Sequence, residues 1–147
     1  MTSAYDDEFQ ALQPFFRIIL EGLGSLVDGE HFFDTFADDA VTEYVVTVPN
    51  YPKQVGSRAE LMELYRGYGD VIRLEGSDDL RRYHDKDASV VVLEYAVHGR
   101  IVATGADYDN RFVSIIRIKD RKIVHWRDYL DSLAVVQALS DTVPARR

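Results

Sequence analysis

Near the start of the chain, apolar residues recur at helical spacing. Phe9, Leu12, Phe16, Ile19, Leu20 and Leu23 share one face of a 3.6-residue repeat. Pro14 suits a first helical turn, and Gly22 and Gly24 weaken the later part. Asp28 is placed to cap a second short helix carrying Phe32, Phe33 and Phe36, ended by the string FADDA. Val41 to Val48 then reads as a strand, broken by Pro49, Asn50 and Pro52. Ser57 and Glu60 form a capping-box pair ahead of a helix with Leu61, Leu64, Tyr65 and Tyr68.

From residue 70 onward the pattern is that of strands. The first runs from Val71 to about His84, bent near Gly76. The second is strongly apolar, Ala88 to His98, and the third is long, Ala103 to Lys119. Asp120-Arg121 makes a tight turn into an antiparallel fourth, Lys122 to Leu130. Asp131 caps a last helix with Leu133, Val136 and Leu139. Helices, strand, helix and then a strand meander make an α+β layout, expected as one domain over residues 1–147.

Strand alternation sorts side chains by face. Val124, Trp126 and Asp128 share one in the fourth strand, and Asn110, Phe112, Ser114, Ile116 and Ile118 share one in the third. Val90, Val92, Glu94, Ala96 and His98 share one in the second, and Tyr44 lies with Thr42, Val46 and Val48. Glu94 and Asp128 each interrupt an apolar face. A carboxylate buried without a partner is costly, so it holds a proton or finds a donor. Either state suits general acid–base catalysis. The expected machinery is therefore Asp128 with Glu94 or His98 as its complement. Tyr44 and Asn110 would hold a ligand oxygen or water, and Trp126, Phe112 and Val92 would form apolar walls. The plainer alternative is a solvent-facing carboxylate, or one tied to Arg100, Arg111 or Arg117.

Composition narrows the chemistry. With 147 residues and 46% hydrophobic content, the chain can bury a core unaided. The absence of cysteine removes disulfides and thiolate chemistry. A formal charge of −8 opposes binding to nucleic acid, and Tyr65, Tyr68, Tyr83, Tyr95 and Tyr108 have no basic stripe beside them to serve base stacking. The four histidines lack metal-ligand spacing, and the glycines match neither a dinucleotide nor a phosphate loop. No apolar run is long enough for a membrane helix and no signal peptide is evident, so the expected location is cytoplasmic.

Two segments carry a resemblance. DGEHFFDTFADDAV, residues 28–41, resembles the N-terminal signature of the nuclear-transport-factor-2-like (NTF2-like) superfamily. YDNRFVSIIRIKDRKIVHWRDYLDSLAVVQAL, from residue 108 to 139, is similar to its SnoaL-like branch. The resemblance implies a cystatin-like cone: a strongly curved sheet wrapped around N-terminal helices, with an internal pocket. It also implies homodimers through the outer sheet face and a small hydrophobic ligand. Polyketide cyclases, ketosteroid isomerases and limonene-epoxide hydrolase belong to that superfamily, and none of this chemistry calls for a redox cofactor. The steroid-isomerase aspartate falls where this chain has Tyr44, which speaks against that reaction. Asp128, Trp126 and Tyr44 resemble hydrolase positions, whereas its Arg-x-Asp strand pair is missing from LEYAVHG. The expectation is a cofactor-independent isomerase, cyclase or hydrolase. A non-catalytic binding protein and a structural dimer are the alternatives.

Overall fold

The computed structural model describes residues 8–140. A 3₁₀ turn, Gln10–Leu12, leads into α1, Gln13–Leu23, with Pro14 in its first turn. Phe15, Phe16, Ile18, Ile19 and Leu23 bury the inner stripe of α1. The helix lies so close to the sheet that a Cβ on Gly22 would meet the Leu93 side chain at 2.8 Å.

The next aromatic run forms a 3₁₀ turn, Phe32–Thr35. Its cap is His31 rather than Asp28: His31 Nδ1 accepts the Phe33 N–H, and Asp34 accepts the His31 N–H. Asp28 instead pairs with Arg121 at 2.7 Å. FADDA does not end a helix. It opens β1, Phe36–Tyr44, so the strand begins earlier than expected and stops before Val48. The two-residue β2, Gln54–Val55, follows the proline loop. In α2, Arg58–Arg66, the Ser57 side chain accepts the Glu60 N–H, which is the N-cap half of the expected box.

The meander comprises β3, Ile72–Asp85; β4, Val90–Ile101; β5, Asp107–Lys119; and β6, Lys122–Leu130. Asp120 and Arg121 both take positive φ, 52° and 64°, as the tight turn between β5 and β6 demands. Asp131 caps α3, Ser132–Ser140, by accepting the Ala134 N–H.

The strands order as β2-β1-β6-β5-β4-β3. Among the described residues only β1 and β6 pair in parallel. This corrects the expected cone. The mixed sheet is open, with β2 and β3 as its two edges and no ladder joining them among the described residues. Closure needs a complete hydrogen-bonded circuit, and the short β2 offers little edge to continue one. Helices cover one face instead, and the hydrophobic core lies between them and the sheet.

Register decides which residues enter that core. Leu93 pairs with Ser114, Tyr95 with Phe112 and Val97 with Asn110. In β6 the ladder slips by one residue between Ile118↔Ile123 and Arg117↔His125. This bulge at Val124 brings Ile123 and Trp126 to the same buried side, against simple alternation. Trp126 then stacks near Phe36 at 5.8 Å, while Phe16 stacks on Phe32 at 4.5 Å.

The irregularity in β3 between Leu74 and Gly76 depends on Gly99 across the ladder. A Cβ at Gly99 would collide with the Arg73 carbonyl oxygen and would lie 2.8 Å from Leu74 Cα. Gly99→Ala is expected to destabilise the protein by about 1–3 kcal/mol, the usual cost of forced overpacking. Equilibrium denaturant unfolding checks this, and an unchanged midpoint would refute the close-approach account.

Candidate active site

β1 and β6 deliver the two central polar groups. Tyr44 and Asp128 are register partners across this parallel pair, and both side chains are buried on the helix-covered face. Beside them lies a cavity of about 310 Å³. Its wall includes Phe15 of α1, Tyr65 of α2, Phe112 of β5 and Val135 of α3, and Tyr51 comes from the loop after β1.

Asp128 is held from one side only. Its Oδ1 accepts the Ser114 hydroxyl at 2.7 Å and the Trp126 indole N–H at 2.6 Å. Ser114 has given its only proton to Asp128, so Tyr95 must donate to Ser114 across their 2.8 Å contact. A Tyr95–Ser114–Asp128 chain results, with Trp126 as a second brace. Among the described residues no hydrogen-bond donor is paired with Oδ2, although Asp128 itself lines the cavity. Burial pushes the Asp128 carboxyl up from 3.8 to about 6, and the Ser114 and Trp126 donors pull against that rise.

The Tyr44 hydroxyl donates to that of Tyr65 at 3.0 Å. Burial is the main cause that holds both well above the ordinary tyrosine range, and the Asp128 charge adds to it. Both are therefore neutral hydroxyls at physiological pH. Tyr51 packs edge-on against Tyr44 with ring centroids 5.1 Å apart.

The other expected site residues are dispersed. Trp126 is not a wall of the cavity; it lies behind Asp128 among Phe15, Phe32 and Phe36. Asn110 is buried but saturated. Its amide nitrogen donates to Tyr108 Oη and the Asp131 carbonyl, and its oxygen accepts the Arg111 and Asp131 N–H groups. It fastens β5 to the entry of α3 and has no group left for a ligand.

Glu94, His98 and Val92 occupy the opposite face of the sheet. Inward positions on β4 are Val91, Leu93, Tyr95 and Val97, so the expected face was offset by one residue. Glu94 lies 3.8 Å from Arg111, which also pairs with Asp79. His98 bridges Asp109 at 2.7 Å and Asp78 at 3.0 Å, and these hydrogen bonds raise its pKa. Neither residue converges with Asp128.

Ser114, Tyr65, Tyr51 and Tyr108 were missed as site residues. Ser114 and Tyr108 lie on the same alternating face of β5 as Phe112, which is a usable signal. Tyr65 lies on the apolar stripe of a capped helix, and nothing local ties it to Tyr44. Among the described residues no group of His, Asp and Glu is arranged to hold a metal.

The raised Asp128 pKa has a consequence for stability. Between about 3.8 and about 6 the folded protein binds more protons at this residue than the unfolded chain. That stability is fully present below the lower value and is lost as pH rises through the upper one. The loss is on the order of 3 kcal/mol, at 1.36 kcal/mol per pKa unit. Asp128→Asn keeps an acceptor for Ser114 and Trp126. It is expected to be more stable than the wild type near pH 7 to 8, with the gap closing towards about pH 4. Urea denaturation across pH measures the difference, and a gap that widens on acidification would contradict it.

Comparison with known proteins adds a family. The SnoaL-like domain model matches residues 20–126. "Uncharacterized protein YesE" of Bacillus subtilis (strain 168) is 24% identical over 138 residues, covering 94% of this chain and 90% of that protein. Among solved structures, a proposed isomerase from Bacillus subtilis superposes with a TM-score of 0.72 at 24% identity, covering 95% of this chain and 96% of the other. A proposed polyketide cyclase from Pseudomonas putida gives a TM-score of 0.65 at 15% identity, with coverage of 89% and 96%. At such identities the structural likeness shows the fold alone. The family model spans most of the chain, which therefore belongs to the SnoaL-like family.

Proposed function

We propose that the protein is a cofactor-independent acid–base enzyme of the isomerase or cyclase type, acting on a small hydrophobic carbonyl compound. The observation that carries this reading is Asp128: buried, braced through Oδ1 alone, and bordering an otherwise apolar cavity beside the Tyr44–Tyr65 hydroxyl pair. Two structural relatives, a proposed isomerase and a proposed polyketide cyclase, support this reading.

The chemistry requires one base and one hydroxyl donor. Oδ2 removes a proton from carbon next to a carbonyl. The C–H electron pair moves into the carbon framework, and negative charge develops on the carbonyl oxygen. Tyr65, whose hydroxyl oxygen accepts the Tyr44 proton, donates its own proton to that oxygen in a site screened from bulk water. In an isomerisation, protonated Asp128 returns the proton to a second carbon. In a cyclisation, the carbanion attacks a second carbonyl, whose oxygen takes the proton. A carboxyl pKa of about 6 fits both halves, since the group is ionised at neutral pH and still able to give the proton back. Glu94 and His98 have no part in this cycle.

A panel of enones and aromatic diketones tests the proposal. Asp128→Asn is expected to lower kcat by at least about a thousandfold, and Tyr44→Phe by about ten- to a hundredfold. Glu94→Gln is expected to leave turnover unchanged. Turnover that survives Asp128→Asn would remove the mechanism.

The proposed assembly is a homodimer through the outer sheet face. There Tyr83, Val92 and Ile115 form one cross-strand row, and Glu94, Val113 and Tyr129 form the next. Tyr83 is 56% exposed. Arg81, Arg111, Arg127 and Glu43 flank these rows with both signs of charge, a pattern that a two-fold copy can complement. Ile115→Asp is expected to convert dimer to monomer in sedimentation velocity. A wild-type protein already monomeric at high concentration would exclude the dimer.

A further inference from the structure

The wall of the cavity has an electrostatic character that a neutral ligand leaves unused. Phe15, Tyr44, Tyr51, Tyr65, Tyr68, Tyr108 and Phe112 contribute seven aromatic side chains to it. Asp128 supplies the one formal charge, and no Arg, Lys or His lines the cavity among the described residues. Buried carboxylates are ordinarily met by a cation or by donors at both oxygens. Here Asp128 is 2% exposed, and its two donors share Oδ1. The basic residues of β5 and β6, Arg111, Arg117 and Arg127, lie on the opposite face of the sheet.

We infer that this cavity binds hydrophobic amines in their protonated form, with the ammonium N–H donating to Asp128 Oδ2 and the apolar remainder against the aromatic wall. The inference rests on the reading of the cavity as a ligand site, and it adds the ligand class. An ammonium supplies the missing donor and the missing counter-charge together. Aromatic rings add attraction to a cation that they do not offer a ketone. A volume of about 310 Å³ lies at the small end of ligand pockets, which favours compact monoamines over elongated polyamines. A second positive charge would find no partner in this wall. Such an amine engages the oxygen that would take the proton, and so competes with a neutral carbonyl substrate.

Isothermal titration of the full chain with two probes of equal heavy-atom count tests this. N,N-dimethylbenzylamine is the cation and propiophenone the neutral carbonyl. At about pH 7.5, well above the Asp128 pKa and with the amine protonated, the amine is expected to bind at least about tenfold more tightly. Asp128→Asn should erase that preference and leave ketone affinity within about threefold.

The wild type alone gives a second readout, should the variant fold poorly. Amine affinity should fall as pH drops from about 7.5 to about 5, while ketone affinity should hold. The titratable groups that feel the Asp128 charge, Tyr44, Tyr51, Tyr65, Tyr95 and Tyr108, are all held above the ordinary tyrosine range by burial. The acid limb therefore reports Asp128. Equal affinity for the two probes, or an amine preference that survives Asp128→Asn, overturns the inference. Ketone binding without amine binding overturns the ligand class and spares the ligand site. Binding of neither overturns both.

Discussion

One oxygen of a buried carboxylate accepts both of its donors, and the residue itself borders a hollow. The rest of the site follows from that imbalance. Ser114 and Trp126 hold Asp128 Oδ1, and Tyr95 holds Ser114. These donors lower the cost of burying the charge without removing it, which is why desolvation still raises the carboxyl pKa to about 6. Donors at both oxygens would make the group more stable and less reactive. A carboxylate in open water would titrate near its ordinary value and lose its fixed direction. The observed arrangement gives up folding stability at neutral pH and leaves the carboxyl pKa near neutrality.

The open sheet explains how the hollow is made. With β2 and β3 left as edges, no barrel encloses an interior. The space is bounded instead by elements of different kinds: α1 and α2 across the sheet, the proline loop after β1, and α3 after β6. The loop contributes four residues, α2 and α3 two each, and α1 one. Asn110 joins two of these parts by bonding Tyr108 on its own strand and the backbone of Asp131 at the entry of α3. Its four bonds serve the geometry of the cavity rather than a ligand. Asn110 and Ser114 thus spend their bonds on the fold, whereas Asp128 keeps one oxygen without a donor among the described residues.

The two faces of the sheet divide the electrostatics. Inside, the titratable groups around the cavity are Asp128 and neutral tyrosines. Outside, His98 bridges Asp78 and Asp109, Arg111 meets Asp79, and Arg127 meets Glu43. These exposed pairs add little to stability individually. Their effect is segregation: the basic groups of the central strands are spent on the outer face, so Asp128 keeps no basic partner within the described part of the cavity.

Much was legible in the chain itself, for local physical reasons. The capping signals at Ser57 and Asp131 are short-range, as is the alternation in β5. Position 128 was marked by a carboxylate on an apolar face of β6, and Tyr44 and Phe112 by strand alternation. Family membership was carried by the terminal segments. What sequence could not resolve was register. The β4 face that carries Glu94 and His98 also holds Val90, Val92 and Ala96, so its mixed character suits a polar site inside as well as an outer surface. The β5 ladder settles the matter and turns Glu94 and His98 away. The bulge at Val124, the hydroxyl pair of Tyr44 with Tyr65, and the openness of the sheet all depend on contacts between distant segments. Local composition determines which residues can be strands and which charges would be costly to bury. Tertiary pairing alone determines where each strand's faces point, and hence which carboxylate is left beside the cavity.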